Sequence, residues 1–147
     1  MTETEQKSTV LLLKECDSGT KMAVYAFDHV MKFIKNEKLR ELMEESRRDH
    51  VQLGDKLHKK LLECHSDDEE PPAMGRIGAW VSTEVKLMMD DSDAKIAKIV
   101  SEGCHMGVNS LSHYMNTYQD ADSESYDLCT ELIKMEQTLM DDLRLYL

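Results

Sequence analysis

The stretch EKLRELMEESRRDHVQLGDKLHKKLLEC, residues 37–64, decides the fold. Leu39, Met43, Ser46, His50, Leu53, Leu57 and Leu61 follow one another at steps of three or four, the stripe of a helix packed at a shallow angle on its neighbours. Asn36 stands before it as a break and an N-cap. On the other side of Asn36, about residues 5–35 carry the same spacing in Leu13, Asp17, Thr20, Val24, Phe27, Met31 and Ile34, and Thr2 with Glu5 makes a capping box at the start. So short a connection forces the two helices to lie antiparallel.

Downstream, the acidic, diproline segment at about 65–73 has no periodicity and reads as a loop. A shorter helix over about 75–89 carries Trp80. Asp91-Ser92-Asp93 then caps a third long helix running to about residue 118, with Ile96, Val100, Gly103, Gly107, Ser110 and Tyr114 on its seam. Asp120-Ala121-Asp122-Ser123 turns the chain into a last helix whose seam is Ser125, Cys129, Leu132, Glu136, Leu139, Leu143 and Tyr146. A helix of about 25 residues is roughly 38 Å long, and the segment from Ser66 to Ser92 is long enough to travel back along that length. The expected fold is therefore a single all-α domain over residues 1–147, a ferritin-like four-helix bundle with a helical crossover that leaves the second and third long helices parallel.

Composition narrows the partners. Lys and Arg total 18 against 29 Asp and Glu, a net charge of −11, which argues against nucleic acid and anionic lipid. No apolar run approaches the roughly 20 residues that span a bilayer, and the acidic, polar start does not read as a signal peptide. Cys16, Cys64, Cys104 and Cys129 lack any Cys-x-x-Cys spacing and read as reduced, mostly buried residues of a cytoplasmic protein. The eleven methionines read as core filler.

Several polar residues fall on the apolar seams. Counting back from the turns places Asp17, His50 and Glu136 within a few turns of mid-height, and Glu136 opposite about His105. Glu102-x-x-His105 puts two further donors on one face of the third helix. Carboxylates with imidazoles suit iron or manganese, and Glu-x-x-His is the spacing of di-iron bundles. The plainer reading is that these groups satisfy one another and fix register. Gly103 and Gly107, four apart, let a neighbouring helix approach closely or leave room for a ligand.

Leu13-Lys14-Glu15-Cys16-Asp17-Ser18-Gly19, the segment Trp80-Val81-Ser82-Thr83-Glu84-Val85-Lys86, Glu102-Gly103, and Leu132-Ile133-Lys134-Met135-Glu136 together resemble a bacterial domain-of-unknown-function family of the ferritin-like superfamily, distantly rubrerythrin-like. The resemblance spreads over nearly the whole chain. It implies a ferritin-like bundle, and dimers of such bundles are common in the superfamily. The superfamily's di-iron pattern would put Glu on the first and third helices and Glu-x-x-His on the second and fourth. Here Arg47 stands three before His50, Leu139 stands three after Glu136, the intact Glu-x-x-His is on the third helix, and the first offers Asp17 or Asp28. The set is incomplete. The sequence therefore points first to a non-enzymatic bundle acting through self-association, as a homodimer, or through a protein partner. A metal-binding redox protein using a rearranged set of Asp17, His50, Glu102, His105 and Glu136 is the alternative. A small-molecule binder using the space beside Gly103 and Gly107 is the third.

Overall fold

A computed structural model describes residues 1–64, 79 and 93–147. The described residues form four long helices: α1 (Glu3–Val30), α2 (Glu37–Glu63), α3 (Asp93–Thr117) and α4 (Ser123–Leu143). Short 3-10 turns, Met31–Phe33 and Arg144–Tyr146, follow α1 and α4. The proposed acidic loop, the connector helix with Trp80, and Asp91 and Ser92 lie outside the described residues.

The helix starts are set by side chains that satisfy free backbone N–H groups. Thr2 accepts from the Glu5 N–H, Asn36 from Leu39 and Asp122 from Ser125. Within α2 the only β-branched residue is Val51, so the backbone meets little side-chain opposition to helix formation. Its apolar stripe is then buried as the spacing demands: Leu39, Met43, Leu53, Leu57 and Leu61 are all inaccessible, each worth about 1.5–3 kcal/mol over leaving it in water.

Polar contacts at the two ends fix the helix directions. At one end Asp93, the first residue of α3, accepts from the backbone N–H groups of Lys35 and Asn36 at 2.9 and 3.0 Å, so α3 starts beside the start of α2. At the other end the Asp122 N–H donates to Thr9 Oγ1 at 2.9 Å, and Lys60 reaches Asp122 at 3.1 Å and Glu124 at 2.8 Å. The start of α4 therefore lies beside the start of α1 and the end of α2. Two antiparallel hairpins result, α1 with α2 and α3 with α4, with α2 and α3 parallel. Cys64 and Asp93 stand at opposite ends of the bundle, so the chain between them joins those ends. The outer edges of the four-helix square are α1–α2, α2–α4, α4–α3 and α3–α1; α1 also meets α4 across the middle.

The interior consists of two apolar clusters. One, toward the α1–α2 turn, gathers Phe27, Val30, Leu39, Met43, Ile96, Val100, Cys104 and Leu139. The other, toward the far end, gathers Leu12, Leu13, Cys16, Leu53, Leu57, Leu111, Cys129 and Leu132. Between them, in chain order, lie the buried polar residues Asp17, Ser18 and Thr20 of α1, His50 of α2 and Glu136 of α4, a polar layer to which α3 adds no buried polar side chain beyond the Cys104 thiol. One seam runs differently from the spacing reading. On α3 the buried residues are Ile96, Ala97, Ile99, Val100, Cys104 and Leu111, while Ser110 is exposed and Gly103, Gly107 and Tyr114 are half-buried. Both stripes are helical, and the one that removes more apolar surface from water turns inward.

Candidate functional site

The polar layer is built on His50 of α2 and Glu136 of α4. Each stands on its helix's apolar stripe, His50 between Met43 and Leu53 and Glu136 between Leu132 and Leu139, which leaves them 1 % and 7 % exposed. His50 Nε2 is hydrogen-bonded to Glu136 Oε1, and Nδ1 meets the Ser46 carbonyl one turn earlier at 2.6 Å. A carbonyl can only accept, so Nδ1 carries a proton. Burial by itself would lower the imidazole pKa. The Glu136 hydrogen bond and charge, the Ser46 carbonyl and the charge of Asp49 outweigh it, and the net pKa lies above the usual histidine value. With Nδ1 donating to the carbonyl and Nε2 to the Glu136 carboxylate, both ring nitrogens carry protons and His50 faces the carboxylate as an imidazolium. Phe27 meets its ring edge-on, with centroids 5.2 Å apart, and walls the pair off on the α1 side.

Glu136 has a second partner. The Cys104 thiol donates to its carboxylate; burial, the Glu136 charge and this hydrogen bond hold the thiol well above its ordinary pKa. A thiol kept protonated by a carboxylate is a poor nucleophile, and an imidazolium bonded to that same carboxylate is no base for it. The three groups form a locked chain, imidazolium–carboxylate–thiol, rather than a reactive set.

Of the five residues singled out for a metal, the fold brings His50 and Glu136 together. Asp17 is buried but turns to Lys21 at 3.0 Å, and its own carbonyl accepts from the Thr20 hydroxyl at 2.8 Å. Glu102 and His105 lie exposed on the outside of α3, where His105 approaches Asn109 at 3.5 Å. Among the described residues no group of three or more His, Cys, Asp or Glu is arranged to hold a metal ion. The inward-facing position on α3 is Cys104, beside His105. Arg47 is directed outward to Asp28, at 2.7 and 3.3 Å.

On the α1–α3 side the helices separate around a cavity of about 130 Å³. Gly19, Met22, Ala23, Phe27, Val100, Gly103, Cys104, Gly107 and Leu132 are among the residues of its wall, with Glu136 at its base and Glu15 and Tyr114 also lining it. Met106 and Ser110, both exposed, border it toward solvent. A methyl group added at Gly107 would sit 3.8 Å from Glu136 Oε2, so the absence of a side chain there leaves that oxygen accessible from the cavity. Burial raises the Glu15 pKa, opposed by a hydrogen bond from Tyr114. A wider hollow of about 520 Å³ lies on the α2–α4 side, bordered by Glu45, Asp49, Asp127, Glu131 and Asp142, with His50 at its base.

Cys104, Phe27 and Glu15 also belong to this region; the spacing puts Phe27 on the α1 stripe and reads Cys104 as a buried thiol, but assigns none of the three to a site. The available signal was the four-residue step Val100–Cys104, which competes with Val100–Gly103 as the continuation of the stripe.

The chain matches no family model, no curated protein and no solved structure. The fold defines it as an all-α four-helix bundle made of two antiparallel hairpins. No helix among the described residues is long and apolar enough to cross a membrane.

Proposed function

We propose that this protein is a non-enzymatic, ferritin-like bundle that reversibly binds a small, largely apolar molecule in the space between α1 and α3. The observation that carries the reading is the cavity of about 130 Å³ with a mainly apolar wall and a buried carboxylate at its base. An engineered apolar cavity of about 150 Å³ holds a benzene molecule, so the volume suits one ring or a short alkyl chain. Pockets of this composition, with few polar groups to fix orientation, are the usual form of small-molecule sites. The parallel order of α2 and α3 supports the ferritin-like reading. The protonated thiol and the locked imidazolium favour binding over turnover.

Titration with toluene, followed by amide chemical shifts, tests the proposal. Shifts confined to the amides lining the cavity, near residues 19–26 of α1, 99–111 of α3 and 132–136 of α4, and lost in Gly107→Leu, are expected. The leucine side chain would start beside Glu136 Oε2 and fill the base of the cavity. Absence of saturable shifts, or undiminished binding in a folded Gly107→Leu protein, would refute it.

A further inference from the structure

We propose that the preferred ligand of this cavity is a small organic cation, a primary amine with an apolar body, whose ammonium group is received by Glu136 with Glu15 as the second anionic wall. The inference rests on the binding reading above and adds the charge of the ligand. Among the described residues lining the cavity, the acidic ones are Glu15 and Glu136, and no described Lys, Arg or His side chain contributes to its wall. His50 lies behind Glu136, on the side of Oε1, and borders the opposite hollow instead. Oε2 faces Gly107, where nothing but hydrogen separates the backbone from the cavity.

This asymmetry decides the ligand chemistry. An anion entering the cavity would be desolvated against two carboxylates, with the His50 ring behind one of them rather than in the wall. A neutral apolar molecule would fill the volume and offer the Glu136 carboxylate no donor beyond the His50 ring and the weak thiol of Cys104. An ammonium adds charge-assisted hydrogen bonds to that oxygen, in a site where they are not shared with bulk water. At Glu15 the burial that raises that carboxyl's pKa is relieved by an approaching cation. The chain's net charge of −11 works in the same direction by drawing cations toward the surface.

The experiment compares benzylamine, toluene and benzoate on the full chain at pH 7, with the same amide shifts as the readout. Benzylamine is expected to bind at least about tenfold more tightly than toluene, the discrimination of one hydrogen bond to a charged group, and benzoate not to bind. Glu136→Gln should bring benzylamine to the level of toluene. Glu15→Gln, in the wall of the cavity and outside the His50 pair, should weaken benzylamine severalfold without affecting toluene, which keeps the idea testable if Glu136→Gln fails to fold. Equal or tighter binding of toluene overturns the cation assignment and leaves the apolar site intact. Benzylamine binding that survives both substitutions, or that is unchanged in Gly107→Leu, places the amine elsewhere on the acidic surface and overturns it too. Failure of every probe removes the binding reading itself.

Discussion

Replacing Glu136 by Gln leaves the size of the side chain almost unchanged and removes the charge that holds His50 as an imidazolium. The consequence is pH-dependent and its sign is fixed. In the native protein the imidazole pKa is raised, so the pair's stabilisation is fully present below the unfolded histidine value and fades as pH rises through the folded one. In the variant the buried ring must be neutral, so below the unfolded value of about 6.5 the unfolded chain binds a proton that the folded one refuses. At pH 5 that refusal costs up to about 2 kcal/mol, from roughly 1.5 pH units at about 1.4 kcal/mol each. At pH 8 it costs nothing. Exchanging the ionic hydrogen bond for a neutral one adds about 1 kcal/mol at pH 5 and at most about that at pH 8, where the native pair's stabilisation fades. For a chain of 147 residues, 1 kcal/mol corresponds to about 3 °C in Tm. Thermal unfolding followed by circular dichroism should therefore show a loss of about 10 °C at pH 5 and at most about 3 °C at pH 8. The double variant His50→Leu with Glu136→Leu should lose this pH dependence and fall within about 1 kcal/mol of the parent, because a buried ion pair and a packed apolar pair are often equivalent. An equal Tm loss at both pH values, or a larger one at pH 8, would mean that the ring is neutral and the pair is not ionic.

Two further outcomes follow from the geometry away from the cavity. Asp93→Ala removes the acceptor for the Lys35 and Asn36 N–H groups, and should lower stability by about 1 kcal/mol in urea unfolding, with faster amide exchange at those two positions; unchanged exchange would show that the contact does not hold the α1–α2 turn against α3. A thiol reagent applied to the native protein should modify Cys64 alone, since Cys16, Cys104 and Cys129 are buried, and all four after unfolding; prompt reaction of a second thiol would contradict the packing.

The stripes of α1, α2 and α4 were legible because a periodic apolar pattern with a cap at its start leaves a helix one face to bury. His50 and Glu136 could be placed in the core on that basis alone, since each falls at the correct step of its helix's apolar stripe. The α3 stripe was not legible to the residue. After Val100 the sequence offers Gly103 at a step of three and Cys104 at a step of four, and local spacing treats the two alike. Contact with α4 and α1 selects Cys104 because its side chain fills space that a glycine cannot.

The sequence by itself determined the four long helices, the caps Thr2 and Asn36 and the inward positions of His50 and Glu136, since those follow from short-range hydrogen bonding and from period. Only the tertiary structure decided what these two residues meet. Whether buried donors bond to one another or gather around an ion depends on the rotation of each helix about its axis. Glu102 and His105 share a face of α3, yet the rotation that buries Ile96, Val100, Cys104 and Leu111 carries that face outward. The same rotation opens the space between α1 and α3 beside Gly107 and presents a carboxylate at its base. That space is a property of several packed helices, written in no one of them.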